Sequence, residues 1–316
     1  VTNNAKGKKM RISSLYMFQR QINNMSNSTS NANDISSRLA LGQSLLKPSD
    51  DPAGASQAVI YQNSLAKIEQ YETARQYAQD ALGQQDNVLN AIGSILTKNL
   101  SEKIVAGGNG AYSDEDRAAL AKELEGIRNN LLDLANTRSS NGRYIFAGYN
   151  TGSEPFAKDG SYQGGTTAIV QKVADSTDMQ VSHTGNDVFL SGTEHDLFAA
   201  LDSAITALKA PVTEDADREA LQATLDRVNI SVKKNIDNLG KVQASVGTNL
   251  QQLEMLGASA DTNKIDVESR LQETLGADMD SFTTLVVQSK MTEFALSSSF
   301  MVFQTMQQMS IFNMLR

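Results

Sequence analysis

The chain has 316 residues, a formal charge of −8 at pH 7, no Cys, no Trp and only 6% aromatic residues. Its length and 40% apolar content can support two or three domains with real cores, while the missing Cys excludes disulfides and thiolate metal sites. From Ile12 onward 24 bases face 36 acids, a charge of −12. That balance argues against nucleic acid, whose phosphates need Lys and Arg patches.

Residues 1–9 are polar and aperiodic and are predicted to be a disordered extension, and Val1 to Arg20 has a basic start but no continuous apolar block, so no secretory signal is expected there. From Met10 a helical pattern runs to Leu41. Leu15, Phe18, Ile22, Met25, Thr29, Ala32, Ser36 and Leu39 alternate steps of three and four, and Gly42 ends the run. Residues 43–54 contain Lys47-Pro48-Ser49-Asp50-Asp51-Pro52-Ala53-Gly54. Pro52 suits the first position of a new helix and Asp50 or Asp51 its cap, so the two carboxylates read as a turn rather than a catalytic pair.

The next pattern runs from Pro52 to about Ala106 through Ala58, Leu65, Ala78, Leu82, Leu89, Ile92 and Leu96, and stops at Gly107-Gly108-Asn109-Gly110. Ser113 with Asp116 forms a capping box for a further helix carrying Leu120, Leu124, Ile127, Leu131 and Leu134, which ends before Asn141-Gly142. Residues 151–193 change character. They are rich in Gly and hold short β-branched runs, with Asp159-Gly160 as a hairpin signal, and predict a small β insert. The two His, His183 and His195, read as surface residues, and Gly164-Gly165 reads as a turn rather than a phosphate cradle.

Helix returns at Asp196, breaks at Pro211 and resumes near Asp215 as a long pattern from Leu221 to Leu253. The small polar stretch 257–263 predicts a return linker opposite residues 43–54. The last 36 residues carry only three charges (Lys290, Glu293 and Arg316) but five of the eleven Met and five of the ten Phe. Leu275, Phe282, Leu296 and Phe303 fall on one heptad row, and Met279, Val286, Phe300 and Met314 on a companion row. This is a seam for another helix, and the run 15–39 is its expected partner. Phe294 to Leu315 is uncharged, but Gln, Asn and Ser are spread through it, so no membrane span is expected.

Several motifs carry a family resemblance. Arg38-Leu39-Ala40-Leu41-Gly42 followed by Lys47-Pro48-Ser49-Asp50-Asp51-Pro52-Ala53-Gly54 resembles the N-terminal signature of the bacterial flagellin superfamily. The form Pro-Ser-Asp-Asp-Pro is similar to the branch that joins hook to filament rather than to filament subunits. Asn141-Gly142-Arg143-Tyr144-Ile145-Phe146-Ala147-Gly148, with Thr151 and Pro155-Phe156, resembles the same branch, while the uncharged C-terminal helix ending Asn313-Met314-Leu315-Arg316 is similar to the Leu-Leu-Arg ending of flagellins. The resemblance implies that the termini form an inner tube while the outer layers face away from its axis. It further implies export through the flagellar type III apparatus without a cleaved signal, an extracellular destination in the flagellum, and a cytoplasmic export chaperone on the C-terminal helix. Lys98, Asn99 and Glu102 depart from the flagellin pattern at the surface read by an innate immune receptor, so that recognition is not carried over.

The expected fold is mainly α, a long helical bundle with coiled-coil terminal helices and a small inserted β-rich domain. Residues 10–42 plus 264–316 form the terminal pair, disordered in the free chain. Residues 43–54 plus 257–263 are linkers, 55–150 plus 194–256 the central bundle, and 151–193 the insert. The expected function is structural, with filament subunit as the alternative and no catalytic, cofactor or metal site. The expected partners are copies of the chain in a ring, a neighbouring hook-associated protein and flagellin, with no nucleic acid and no membrane insertion. Leu15, Phe18, Ile22, Met25, Phe282, Leu296, Phe300, Phe303 and Met306 are the expected assembly residues, and Arg38, Asp50, Asp51 and Pro52 the joint between layers.

Overall fold

The computed structural model describes the backbone of residues 5–314 and the side-chain environments of residues 16–308. The chain is mainly α: α1 (Ala5–Leu41), α2 (Pro52–Ser94), a π-helical stretch (Ile95–Leu100), α3 (Ser101–Gly107), α4 (Asp114–Ala135), α5 (Gly185–Phe189), α6 (Leu197–Lys209), α7 (Asp215–Leu275) and α8 (Met279–Met314). One antiparallel pair, β1 (Val170–Ala174) and β2 (Thr177–Gln180), supplies the sheet. The chain divides into two compact units, one formed by residues 68–261 and the other by 1–67 with 262–316.

In the unit 68–261 the core is a leucine-rich helical bundle. α2 buries Ala78, Leu82, Leu89 and Ile92, and the stripe continues through Leu96, Leu100 and Ile104. Those last steps are four residues each, which would drift around a regular α-helix of 3.6 residues per turn. The π-helical turns of Ile95–Leu100 absorb the excess and keep Leu96 and Leu100 buried. α4 contributes Leu120, Leu124 and Leu131, and α7 contributes Leu221, Leu225, Val228, Val232, Leu239 and Val246. The expected capping box is present: Ser113 accepts from the Asp116 N–H, and Asp116 accepts from the Ser113 N–H.

The segment between α4 and α6 is tied to this bundle by aromatic packing. Phe156 lies 5.2 Å, between ring centroids, from each of Phe189, Phe198 and Tyr162, and Phe146 meets Phe189 edge-on at 6.1 Å. The Asp159-Gly160 turn forms as expected. Gly160 has φ +82°, and Phe156 and Tyr162 pair across it. The regular ladder is shorter than the sequence suggested, with a register irregularity between Lys172 and Ala174. His183 is buried rather than superficial: its Nδ1 lies 3.2 Å from Oε1 of the fully buried Gln85 on α2.

In the other unit α1 and α8 lie against one another. Phe18 stacks at 5.3 Å on Phe303, and Gln21 Nε2 donates to the Ser299 carbonyl at 3.3 Å. Nearer the other end of α1, the Ser44 N–H donates to the Leu275 carbonyl at 3.0 Å. Residues rising along α1 meet residues falling along α8, so the pair is antiparallel. Two differences from the sequence reading concern the ends of elements. Helix begins at Ala5, inside the expected extension, and residues 1–4 lie outside the described residues. No linker interrupts 257–263, because α7 continues to Leu275. One Gly costs a helix only about 1 kcal/mol relative to Ala, and the neighbouring Ala residues are good helix formers.

Candidate assembly surface

α8 is apolar on nearly every side, while α1 covers only one of them. The sheltered row runs through Leu285, Ser289, Thr292, Leu296, Ser299, Phe303 and Met306, in steps of three and four. Leu285 and Ala58 are the buried apolar side chains of this unit among the described residues. Opposite them Phe18, Ile22, Met25, Ser28, Ala32, Ile35 and Leu39 are half-buried along α1. The expected partnership of the two ends therefore exists, but its register differs by one row. Thr29 and Ser36 point to solvent, with the Thr29 hydroxyl donating to the Met25 carbonyl, and Ser28 and Ile35 take the sheltered places.

The same shift sorts the expected assembly residues. Phe18, Ile22, Met25, Leu296, Phe303 and Met306 lie in the pair, whereas Phe282 and Phe300 do not, Phe300 retaining 47% of its exposure. The side chain of Leu15 lies outside the described residues. Ser289, which looked like a break in the heptads, belongs to the sheltered row. With Thr292 and Ser299 it supplies small side chains against which Gln21 reaches the α8 backbone. The displaced companion row, Met279, Val286 and Phe300, faces outward with Val287, Met291, Phe294, Met301 and Val302. A helix that is hydrophobic all round is stable only when other surfaces bury it.

The loop 42–51 is anchored by Arg38. Its Nε donates to Asp34 Oδ2 at 2.8 Å, its Nη2 lies 3.3 Å from Asp50 Oδ2, and its Nη1 donates to the Ser44 carbonyl. Asp50 also accepts from the Lys47 N–H at 3.1 Å. Asp51 caps α2 by accepting from the Ala53 N–H at 3.0 Å, with Pro52 at the first helical position. Beneath this loop Gly276 ends α7 at φ +60°, and a Cβ there would overlap Ser44 Oγ. The four expected joint residues thus form one connected turn, and Gly276 and Ser44 belong with it although no spacing rule singled them out.

Among the described residues no cluster of three or more His, Cys, Asp or Glu is arranged to hold a metal ion, and no helix is long and apolar enough to cross a membrane. In the unit of residues 1–67 and 262–316, α8 is left mostly uncovered, an apolar helical surface of the kind that marks association between proteins. Residues 12–151 match the family described as the bacterial flagellin N-terminal helical region. The chain is 36% identical to flagellar hook-associated protein 3 of Escherichia coli, with 96% of this chain and 99% of the relative aligned. It is 35% identical to the protein of the same name from Salmonella typhimurium, over 97% and 100%. In fold it is similar to hook-associated protein 3 from Legionella pneumophila, with a TM-score of 0.63, 20% identity, and 69% of this chain and 99% of that one covered. The chain belongs to the hook-associated protein 3 group of the bacterial flagellin family.

Proposed function

We propose that this chain is the junction between hook and filament in a bacterial flagellum, assembled as a ring of its own copies between a neighbouring hook-associated protein and flagellin. The observation that carries the reading is α8, whose outward row from Met279 to Val302 is apolar and uncovered although α1 occupies the opposite row. Ring neighbours would cover that row. Phe282 and Phe300 then act between copies, while Phe18, Ile22, Met25, Leu296, Phe303 and Met306 hold the pair that presents them. Leu15 extends the α1 row of that pair by its spacing. Arg38, Asp50, Asp51 and Pro52 fix the chain where α1 gives way to α2.

The terminal pair buries little, so its helices gain most of their order on assembly. Fixing each backbone residue costs about 1 to 2 kcal/mol, which two buried apolar side chains and a half-buried seam do not offset. Export proceeds through the flagellar type III apparatus, with a cytoplasmic chaperone covering α8 until the chain leaves, and the mature position is extracellular. No chemistry is assigned to the protein.

Deleting the gene in its host tests the reading. Hooks without filaments, with flagellin shed into the medium, are the expected outcome. Intact filaments would overturn it, and bare hooks with no shed flagellin would make the chain a filament subunit instead.

A further inference from the structure

The uncovered face of α8 is rich in thioethers. Met279, Met291 and Met301 retain 77%, 68% and 69% of their exposure, whereas Met179, in the packed unit, retains 3%. At 100° per residue these three fall on the side of α8 away from Leu285, Leu296 and Phe303. Thioether sulfur is readily oxidised when solvent reaches it, and the product exchanges a soft apolar group for a polar acceptor.

We infer that Met279, Met291 and Met301 form an oxidation site that controls whether the chain can assemble. The step is an oxygen-atom transfer from a peroxide. The O–O bond of hydrogen peroxide breaks, one oxygen forms the S=O bond of methionine sulfoxide, and the other leaves as water. Sulfur is oxidised by two electrons and the peroxide is reduced by two. The free chain offers these sulfurs to the medium, while a chain already in the ring has them covered, so the oxidant blocks new junctions and spares finished ones. Each sulfoxide brings an acceptor that must be desolvated on the face where copies meet. The packed unit keeps its one buried thioether, Met179, out of reach, so its fold survives the oxidant. Met17 and Met255 are exposed too, but they lie on α1 and α7 rather than on this face.

The inference rests on the junction reading, and the test separates the two. Purified full-length chain is treated with hydrogen peroxide, sulfoxides are mapped by peptide mass spectrometry, and binding to hooks isolated from cells lacking the gene is measured by co-sedimentation. The expected result is complete oxidation at Met279, Met291 and Met301 with Met179 intact, and at least a tenfold weaker binding to hooks. Reduction by a methionine sulfoxide reductase should restore binding. A variant with Met279→Leu, Met291→Leu and Met301→Leu should fold, bind, and keep binding after peroxide. Unchanged binding by chain carrying all three sulfoxides would overturn the inference, as would equal loss in the Leu variant. Failure of the untreated chain to bind hooks would instead overturn the junction reading.

Discussion

Replacing Phe300 by Asp separates packing within the chain from packing between chains. The ring keeps 47% of its exposure, so about half of its surface is still to be buried when a neighbour covers α8. At about 1.5 to 3 kcal/mol for a fully buried Phe, that half is worth about 1 kcal/mol. An Asp in the same place would also have to be desolvated, at several kcal/mol for an ion without a partner. Phe300→Asp should therefore weaken hook binding by more than about 3 kcal/mol, or over about 100-fold. The free chain should melt as wild type does, within about 0.5 kcal/mol, because the side chain touches no core. Co-sedimentation with hooks and thermal unfolding followed by circular dichroism give both numbers. The companion change Phe303→Asp should also cost incorporation, but by breaking the ring pair with Phe18 that lies 5.3 Å away. Wild-type hook binding by Phe300→Asp would refute an outward-facing assembly row, and an early melt would place Phe300 inside the monomer.

Phe156→Ala should destabilise the packed unit by about 3 to 5 kcal/mol in urea unfolding, because the ring is fully buried among Phe189, Phe198 and Tyr162. Gly160→Ala should cost about 1 to 3 kcal/mol in the same assay. It would hold Ala at φ +82° with its Cβ 2.6 Å from that of Phe198. Ser113→Ala should cost about 1 kcal/mol by removing the cap of α4. The pH dependence follows from His183. Burial holds its imidazole below the ordinary value of 6.5, although the charge of Asp187 pulls the other way. The unfolded chain takes up this proton first, so stability should fall as pH drops below 6.5, and His183→Asn should flatten that slope in urea titrations at pH 7.5 and 5.5.

Legibility followed how locally each feature is determined. The α4 cap depends on four consecutive residues, and Ser113 to Asp116 announce it; Gly42 and the Asp159-Gly160 turn are equally local. The pairing of the chain ends was also visible, because apolar steps of three and four repeat along both. The register of that pairing was not. On a helix that is apolar all round, the rows through Phe300 and through Ser299 differ by only 100°, and periodicity favours the more hydrophobic one. The structure shelters the smaller side chains of Ser289, Thr292 and Ser299 and leaves Phe300 outside. Residues 257–263 misled in the opposite direction, since small polar composition suggests a loop wherever tertiary context has no say. His183 was misread because its partner Gln85 lies far away in sequence and leaves no local mark.

The contact between Phe18 and Phe303 has a consequence for synthesis. Phe18 is made before the packed unit and Phe303 after it, so no product terminated before Phe303 can display the pair. A fragment ending before Phe303 keeps every residue of the packed unit 68–261 and still lacks the ring contact between α1 and α8. The antiparallel pair is thus complete only in chains translated through to α8.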